Sequence, residues 1–377
     1  MTRREVFERL LLASATAAEV GCAARVRPSP VVTARPPLRF PPVYVSADRI
    51  TRTTVGLRPF RPSGFVLKAE KLGDKLVVHN YGHGGGGMTL SWGTSDLAVQ
   101  MAMESGSREY AVVGAGAVGL STARLLQRRG GQVTIYAKAL PPETTSNMSG
   151  AQWWPVSVFD RDRLTPEFQE TFLRAARLSY KHYQTMVGDA YGIRWVRNYM
   201  LTDDPPSEGF LLGMQSPMRD LYPELRDLRP GEHPFNAKYV RQFDTMMIEP
   251  NTYLTAMLRD VQLAGARIIV GELKTLANLP QPVIINCTGL GARELIGDQE
   301  LTPIKGQLSV LLPQPEIDYT VLRGHHYMFP RRDGILLGGT FERGQSDLEP
   351  NREAEREVIE AHKAIFAPLL TEGRIRS

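Results

Sequence analysis

The chain has 377 residues, 42% of them hydrophobic and 23% charged, which is length enough for two domains and a large buried core. This composition excludes disorder, collagen-like repetition and a disulfide framework, and two cysteines, Cys22 and Cys287, nearly a chain apart, offer no zinc spacing. The formal charge is +5, but residues 1–42 hold seven Arg and no Lys against three Glu, leaving 38 basic and 37 acidic residues in the remainder, so the charge gives no support to nucleic-acid binding.

Residues 1–42 read apart from the rest. Arg3 and Arg4 precede a short apolar stretch, Leu10 to Ala18, too short to span a bilayer. The pattern resembles a twin-arginine export signal and predicts an exported bacterial protein, periplasmic or at the cell surface, with Cys22 a candidate for lipidation and hence for a membrane tether. Cytoplasmic residence is the alternative. Prolines 28, 30, 36, 37, 41 and 42 predict an extended spacer outside any core.

Next comes Val55-Gly56-Leu57-Arg58-Pro59-Phe60-Arg61-Pro62, an arginine in a proline-stiffened segment. The stretch His79 to Thr89 follows, with Gly82, His83, Gly84, Gly85, Gly86, Gly87, Met88 and Thr89 in its glycine-rich part, and a helix is expected over about 96–103. The two histidines have a spacing that binds metal on a helix, but the glycine run argues against a helix there, so no metal is expected.

Tyr110 to Val113 predicts a buried strand that leads into Gly114-Ala115-Gly116-Ala117-Val118-Gly119, then a helix over 120–129 and a second strand over 132–136. In such a βαβ unit the first glycine makes the tight turn, the second lets backbone approach a diphosphate, and the third lets helix pack on strand. The diphosphate would sit at the helix N-terminus. Where a ribose-binding acid is expected after the second strand, the chain has Lys138. Since a lysine could meet a 2′-phosphate, an NADP dehydrogenase stands as a competitor at this point. No G-x-S-x-G elbow supports hydrolysis.

Taken together, the Gly56-to-Pro62 block, the glycine loop with Trp92-Gly93, the dinucleotide turn, Gly150-Ala151-Gln152-Trp153-Trp154-Pro155, Val283 to Gly289, Gly306-Gln307, Tyr327 to Pro330 and Gly338 to Phe341 resemble the D-amino-acid oxidase family of FAD enzymes, which includes the D-aspartate oxidases. The resemblance covers nearly all of residues 51–377, but the arginine block and glycine loop precede the dinucleotide motif instead of closing the chain. A natural circular permutation is therefore expected, with termini that meet at the surface. The resemblance implies an α/β fold: a Rossmann-like FAD-binding domain from residues 72–155 and 250–305, and a substrate domain with a large mixed or antiparallel sheet from 43–71, 156–249 and 306–377.

It also implies site roles. Arg58 is the expected carboxylate clamp and Tyr327 its partner, although far apart in sequence. Thr144, Thr145, Gln152, Trp153, Cys287, Thr288 and Gly289 fall where family members contact FAD, and the loop from His83 to Thr89 would face the flavin. Arg323 replaces a second active-site tyrosine and would favour an acidic substrate, D-aspartate or D-glutamate, whereas Phe341 stands where several aspartate oxidases have an arginine. His325 and His326 are candidates for the entrance. The implied reaction takes a D-amino acid and oxygen: hydride passes from Cα to flavin N5, the imino acid hydrolyses to a 2-oxo acid and ammonia, and oxygen leaves as hydrogen peroxide. The remaining alternative is an exported flavin-binding protein without turnover.

Overall fold

The structure, a computed structural model, describes residues 40–206 and 208–375. The arginine pair, the apolar stretch and Cys22 lie outside the described residues. Two sheets organise the chain. The first is built from β2 (Val66–Leu72), β3 (Lys75–Tyr81), β4 (Glu109–Val113), β5 (Gln132–Ala137), β9 (Arg267–Val270) and β10 (Val283–Asn286), in the order β2-β3-β10-β4-β5-β9. From β3 to β9 every neighbour is parallel, and only β2 runs against its partner. Its central strands are continuous apolar runs because both faces are covered: Ala111, Val112, Ile284 and Ile285 are fully buried. The segment containing β2, expected in the substrate domain, joins this sheet through a two-residue turn to β3.

Helices α1 (Gly87–Met103) and α2 (Ala117–Arg128) pack on this sheet, and α3 (Pro166–Gln184) packs on α1. α1 starts well before the expected residue 96, because the glycine run closes into a single 3-10 turn at Gly84–Gly86 and the helix follows at once. It is buried nearly all round, as a helix without an amphipathic stripe must be. Gly93 makes this possible, since a Cβ there would lie 1.8 Å from the Ala175 carbonyl of α3. Thr165 caps α3 by accepting the Phe168 N–H, with Pro166 in the first turn.

The second sheet contains β1 (Ile50–Phe60), β6 (Ile193–Thr202), β7 (Arg226–Leu228), β8 (Tyr239–Ile248), β11 (Thr302–Leu311), β12 (Tyr319–Arg323), β13 (His326–Arg331) and β14 (Gly334–Gly338), in the order β1-β11-β14-β13-β12-β6-β8-β7, with β15 (Glu342–Arg343) also on β11. It is mixed: β12 and β6 are parallel and the other pairs antiparallel. α4 (Pro250–Leu263) packs beside α2, the short α5 (Ala292–Leu295) follows β10, and α6 (Arg352–Ile375) packs on β13 and β14. One buried cluster runs from Val112 and Ile285 of the first sheet to Phe243, Leu308 and Phe329 of the second, so the described residues form one compact unit.

The end of the proline-rich stretch departs from the expected spacer. Phe40 sits edge-on to Tyr199, Phe235 and Tyr319, with ring centroids 5.0 to 5.3 Å apart. The carbonyls of Pro41 and Pro42 accept hydrogen bonds from the Tyr319 hydroxyl and the Gln314 amide. A large aromatic ring is worth burying even beside prolines, so Phe40 belongs to the fold. No helix of the described residues is long and apolar enough to cross a membrane.

Candidate active site

A cavity of about 1290 Å³ opens along the carboxyl edge of the parallel strands, where open α/β sheets bind their ligands. Its walls include the ends of β3 (Asn80 to His83), β4 (Val113 to Val118), β5 (Tyr136 to Ala139), β9 (Gly271 to Lys274) and β10 (Cys287 to Gly291). The other wall comes from the second sheet through Gly56 to Pro59, Gly306, Leu308, Leu322, Tyr327 and Phe329. The volume exceeds the ~300–1,000 Å³ of an ordinary small-ligand pocket, so a dinucleotide and a substrate fit together.

The dinucleotide turn is built as the spacing requires. Gly114 adopts φ +115°, and a Cβ on it would lie 2.4 Å from the Cys287 carbonyl. Gly119 does not reach the cavity; its place is the close contact of helix and turn, where a Cβ would stand 1.9 Å from the Gly114 oxygen. The Ala117 N–H, in the first turn of α2, donates to Ser146 Oγ (3.0 Å). Thr144, Thr145 and Ser146 line the cavity beside it. α1 also opens on the cavity, through Gly87, Met88 and Thr89, so two helix N-termini present partial positive charge to one space. Gln152 Oε1 and Trp154 Nε1 are buried in the wall without partners. Close-approach glycines, helix N-termini and unsatisfied polar atoms are a cradle that suits a dinucleotide flavin.

Within the glycine loop the backbone is less bare than expected. The Gly85 N–H donates to the Ser157 carbonyl (2.8 Å) and the Gly86 N–H to the His83 carbonyl (2.9 Å). Gly86 faces Val158, away from the cavity, leaving the first turn of α1 as the source of free donors. The His83 ring is buried and stacked on Phe65. Because the Thr94 hydroxyl donates to the Leu90 carbonyl, it accepts from His83 Nε2–H (3.0 Å). His79 points elsewhere: Asn286 Nδ2 donates to its Nδ1 (3.1 Å) and its Nε2–H donates to Glu70 (2.9 Å), while Asn286 Oδ1 accepts from both the N–H and the hydroxyl of Thr288, at 3.2 and 2.7 Å. Thr288 and Gly289 line the cavity, as does Cys287, whose thiol burial pushes up to about 12.

Arg58 and Tyr327 line the same cavity. β1 lies along β11 with Gly56 opposite Gly306 and Arg58 opposite Ile304, and the Arg58 guanidinium leans over Gly306, where a Cβ would be 2.5 Å from both terminal nitrogens. On the neighbouring strand β14, a Cβ on Gly338 would meet the Tyr327 ring at 2.1 Å. Two glycines on adjacent strands thus clear the floor for the two side chains. Arg58 has one weak contact, Nη1 to the Thr340 carbonyl at 3.4 Å, and lies 5.9 Å from the Phe341 ring. Among the described residues no carboxylate pairs with it, whereas the other cations of the wall, Lys138 and Lys274, both approach Glu272.

Besides Gly86 and Gly119, two expected site residues lie outside the cavity. Arg323 turns to the far face of β12, with Nη2 on Asp203 (2.8 Å) and Nη1 on the Asn236 carbonyl (3.1 Å), while Leu322 faces in. Trp153 is fully buried against Tyr180 and Tyr222, and its neighbour Trp154 takes the place in the wall. On β12 side chains alternate and the expectation fell one residue off, whereas Trp153 stands at a bend whose next residue turns inward. Gln152 lines the wall and donates to Asn198. Lys138 lines the rim, and His325 and His326 the opposite side. Ser146, Asn286 and Glu272 were not singled out from sequence.

Burial holds His83 neutral, pushing it down to about 3, below the ~6.5 of an unfolded histidine. Between these values the unfolded chain binds the extra proton, so this contribution to stability is complete above pH ~6.5 and falls by about 1.4 kcal/mol per pH unit as the pH drops. His83→Gln, which keeps an amide donor for Thr94, is expected to be less stable at neutral pH. Its stability deficit should shrink from pH 6.5 to 4 in chemical denaturation, and a deficit independent of pH would show that His83 is not held neutral.

Residues 109–377 match the sequence model of the family described as "DAO: FAD dependent oxidoreductase". A D-amino-acid oxidase of Streptomyces coelicolor is 29% identical over 259 residues, covering 67% of this chain and 75% of the relative. A D-aspartate oxidase of Homo sapiens is 30% identical over 261 residues, covering 66% of this chain and 73% of its own. Among solved structures, a glycine oxidase of Bacillus cereus superposes with a TM-score of 0.54 at 15% identity, over 71% of this chain and 80% of that one. With the dinucleotide cradle and the two-sheet fold in place, the chain belongs to the DAO family of FAD-dependent oxidoreductases, and its cofactor is FAD.

Proposed function

We propose that the protein oxidatively deaminates D-amino acids with neutral side chains to 2-oxo acids, releasing ammonia and hydrogen peroxide. The observation that carries this reading is Arg58, a guanidinium on the cavity wall without an acidic partner among the described residues, in a space cleared by Gly306. Its fork binds a substrate carboxylate bidentately. The Tyr327 hydroxyl, over Gly338, donates to the same carboxylate, and the two contacts fix the orientation of Cα. FAD, when bound, supplies the two-electron acceptor for the Cα hydrogen and hands the electrons to oxygen. Leu57, Leu308, Leu322 and Phe329 exclude water from that end of the cavity.

A neutral side chain is favoured by what surrounds the clamp. A second substrate carboxylate would need a second fixed cation. Arg323 is turned to Asp203, Phe341 stands beside Arg58, and burial drives His326 down to about 4, leaving it uncharged at neutral pH. The aspartate-oxidase alternative therefore has less support than its sequence signal suggested.

Anaerobic mixing with a panel of D- and L-amino acids, following the flavin band near ~450 nm, tests the reading. Neutral D-amino acids should bleach the band and, in air, yield peroxide. Bleaching by L-amino acids or N-methylglycine alone, or by acidic D-amino acids alone, would overturn it. Arg58→Leu should raise KM by about 100-fold, the loss of a bidentate ionic contact; an unchanged KM removes Arg58 from the site.

We also propose that the blocks occur in circularly permuted order. In support, the family match begins at Glu109, the first residue of β4, while the arginine block and glycine loop stand ahead of it. The chain's last helix packs in one cluster with Val43, ahead of β1, and with Ile50, its first residue, so the two ends of that region are neighbours. A chain rejoined with residues 109–375 ahead of 43–107 should fold and bind FAD with the parent's spectrum; failure to hold flavin would count against the permuted order.

A further inference from the structure

The turn after β5 lacks the acid that this position commonly offers a nucleotide ribose, and Lys138 stands there instead. β9 is the strand next to β5 on the outer side and runs parallel to it, with Ala137 opposite Val270 and the Gly271 N–H on the Ala137 carbonyl (2.9 Å). Parallel neighbours release their chains at the same edge, so the first residues beyond β9 arrive beside the first residues beyond β5. Glu272 is one of them. Its carboxylate lies 3.5 Å from the ammonium groups of both Lys138 and Lys274, and all three residues line the cavity on the side of Gly114 and Ala137.

Half exposed, with both ion pairs at the surface, Glu272 contributes little to folding, since surface ion pairs are weak. The flanking lysines hold its carboxyl below the usual range, so it stands as a charged acceptor. We infer that Glu272 supplies, from the strand beside β5, the carboxylate that accepts the hydrogen bonds of the FAD adenosine ribose in place of the missing acid. The inference rests on the family's cofactor. It also answers the puzzle of Lys138: a 2′-phosphate on the ribose would meet the Glu272 carboxylate, and like charges reject it, while Lys138 serves as a prop for Glu272.

The test is titration of the flavin-stripped full chain, by flavin fluorescence, with FAD and with FAD lacking the adenosine 2′-hydroxyl. The wild type should prefer FAD by about tenfold, the effect of one charge-assisted hydrogen bond. Glu272→Ala should weaken FAD binding by about tenfold and bind both ligands equally, and the isosteric Glu272→Gln should fall between, with unfolding midpoints of both stripped variants matching the parent. Lys138→Ala should keep the preference for FAD. A Glu272→Ala protein that still discriminates, or a Lys138→Ala protein that alone loses discrimination, overturns the inference. A wild type that binds FAD but ignores the 2′-hydroxyl overturns it alone, whereas a wild type that takes up no FAD overturns it together with the cofactor assignment.

Discussion

The antiparallel pairing of β1 along β11 is the constraint on which the substrate end depends. It runs from Ile50 opposite Leu311 to Phe60 opposite Thr302, with one irregularity near Ile50 and Arg52. Strand side chains alternate, so a one-residue slip would turn Arg58 to the opposite face and bring Leu57 or Pro59 over Gly306. The glycine is therefore tied to the register. Past Phe60, a single bridge from Phe60 to His83 couples the second sheet to the turn that starts α1. One strand thus positions Arg58 and steadies the loop ahead of α1.

Charge follows the same division. Besides the two lysines beside Glu272, three sources of positive potential face the cavity: the N-termini of α1 and α2, and Arg58. The one carboxylate between two lysines, Glu272, is at the outer end of the nucleotide wall. On the proposed reading, an anionic diphosphate and an anionic amino-acid carboxylate are both drawn to this space, but at different walls, helix ends facing one and a guanidinium the other.

Much of this was legible in the sequence where the signal was local. The apolar run at Tyr110 to Val113, the spaced glycines and the next strand are contiguous, and they folded as a βαβ unit. The shared cavity of Arg58 and Tyr327 was not local; it came from the resemblance of several blocks. Two of the errors choose the wrong one of two neighbours. Near the bend at Gly150 to Pro155 and at the end of β12, nothing in the sequence distinguishes which of Trp153 and Trp154, or of Leu322 and Arg323, faces inward. Glu272 was missed for a different reason, since its relevance depends on β9 lying beside β5, an adjacency across more than 120 residues that no window contains. Phe40 was hidden by prolines whose composition reads as spacer even where a ring docks.

The chain of hydrogen bonds from Thr288 through Asn286 and His79 to Glu70 has a direction. Every proton in it points outward, toward the carboxylate on the edge strand β2. An amide group holds its hydrogens fixed, so the chain is no conduit for protons; it is a tie that polarises each member in the same sense. With its hydroxyl proton committed to Asn286, Thr288 reaches the cavity bearing lone pairs alone. It can receive a hydrogen bond from whatever hydroxyl or N–H lies there and has none to give, a handedness set by a carboxylate two strands away.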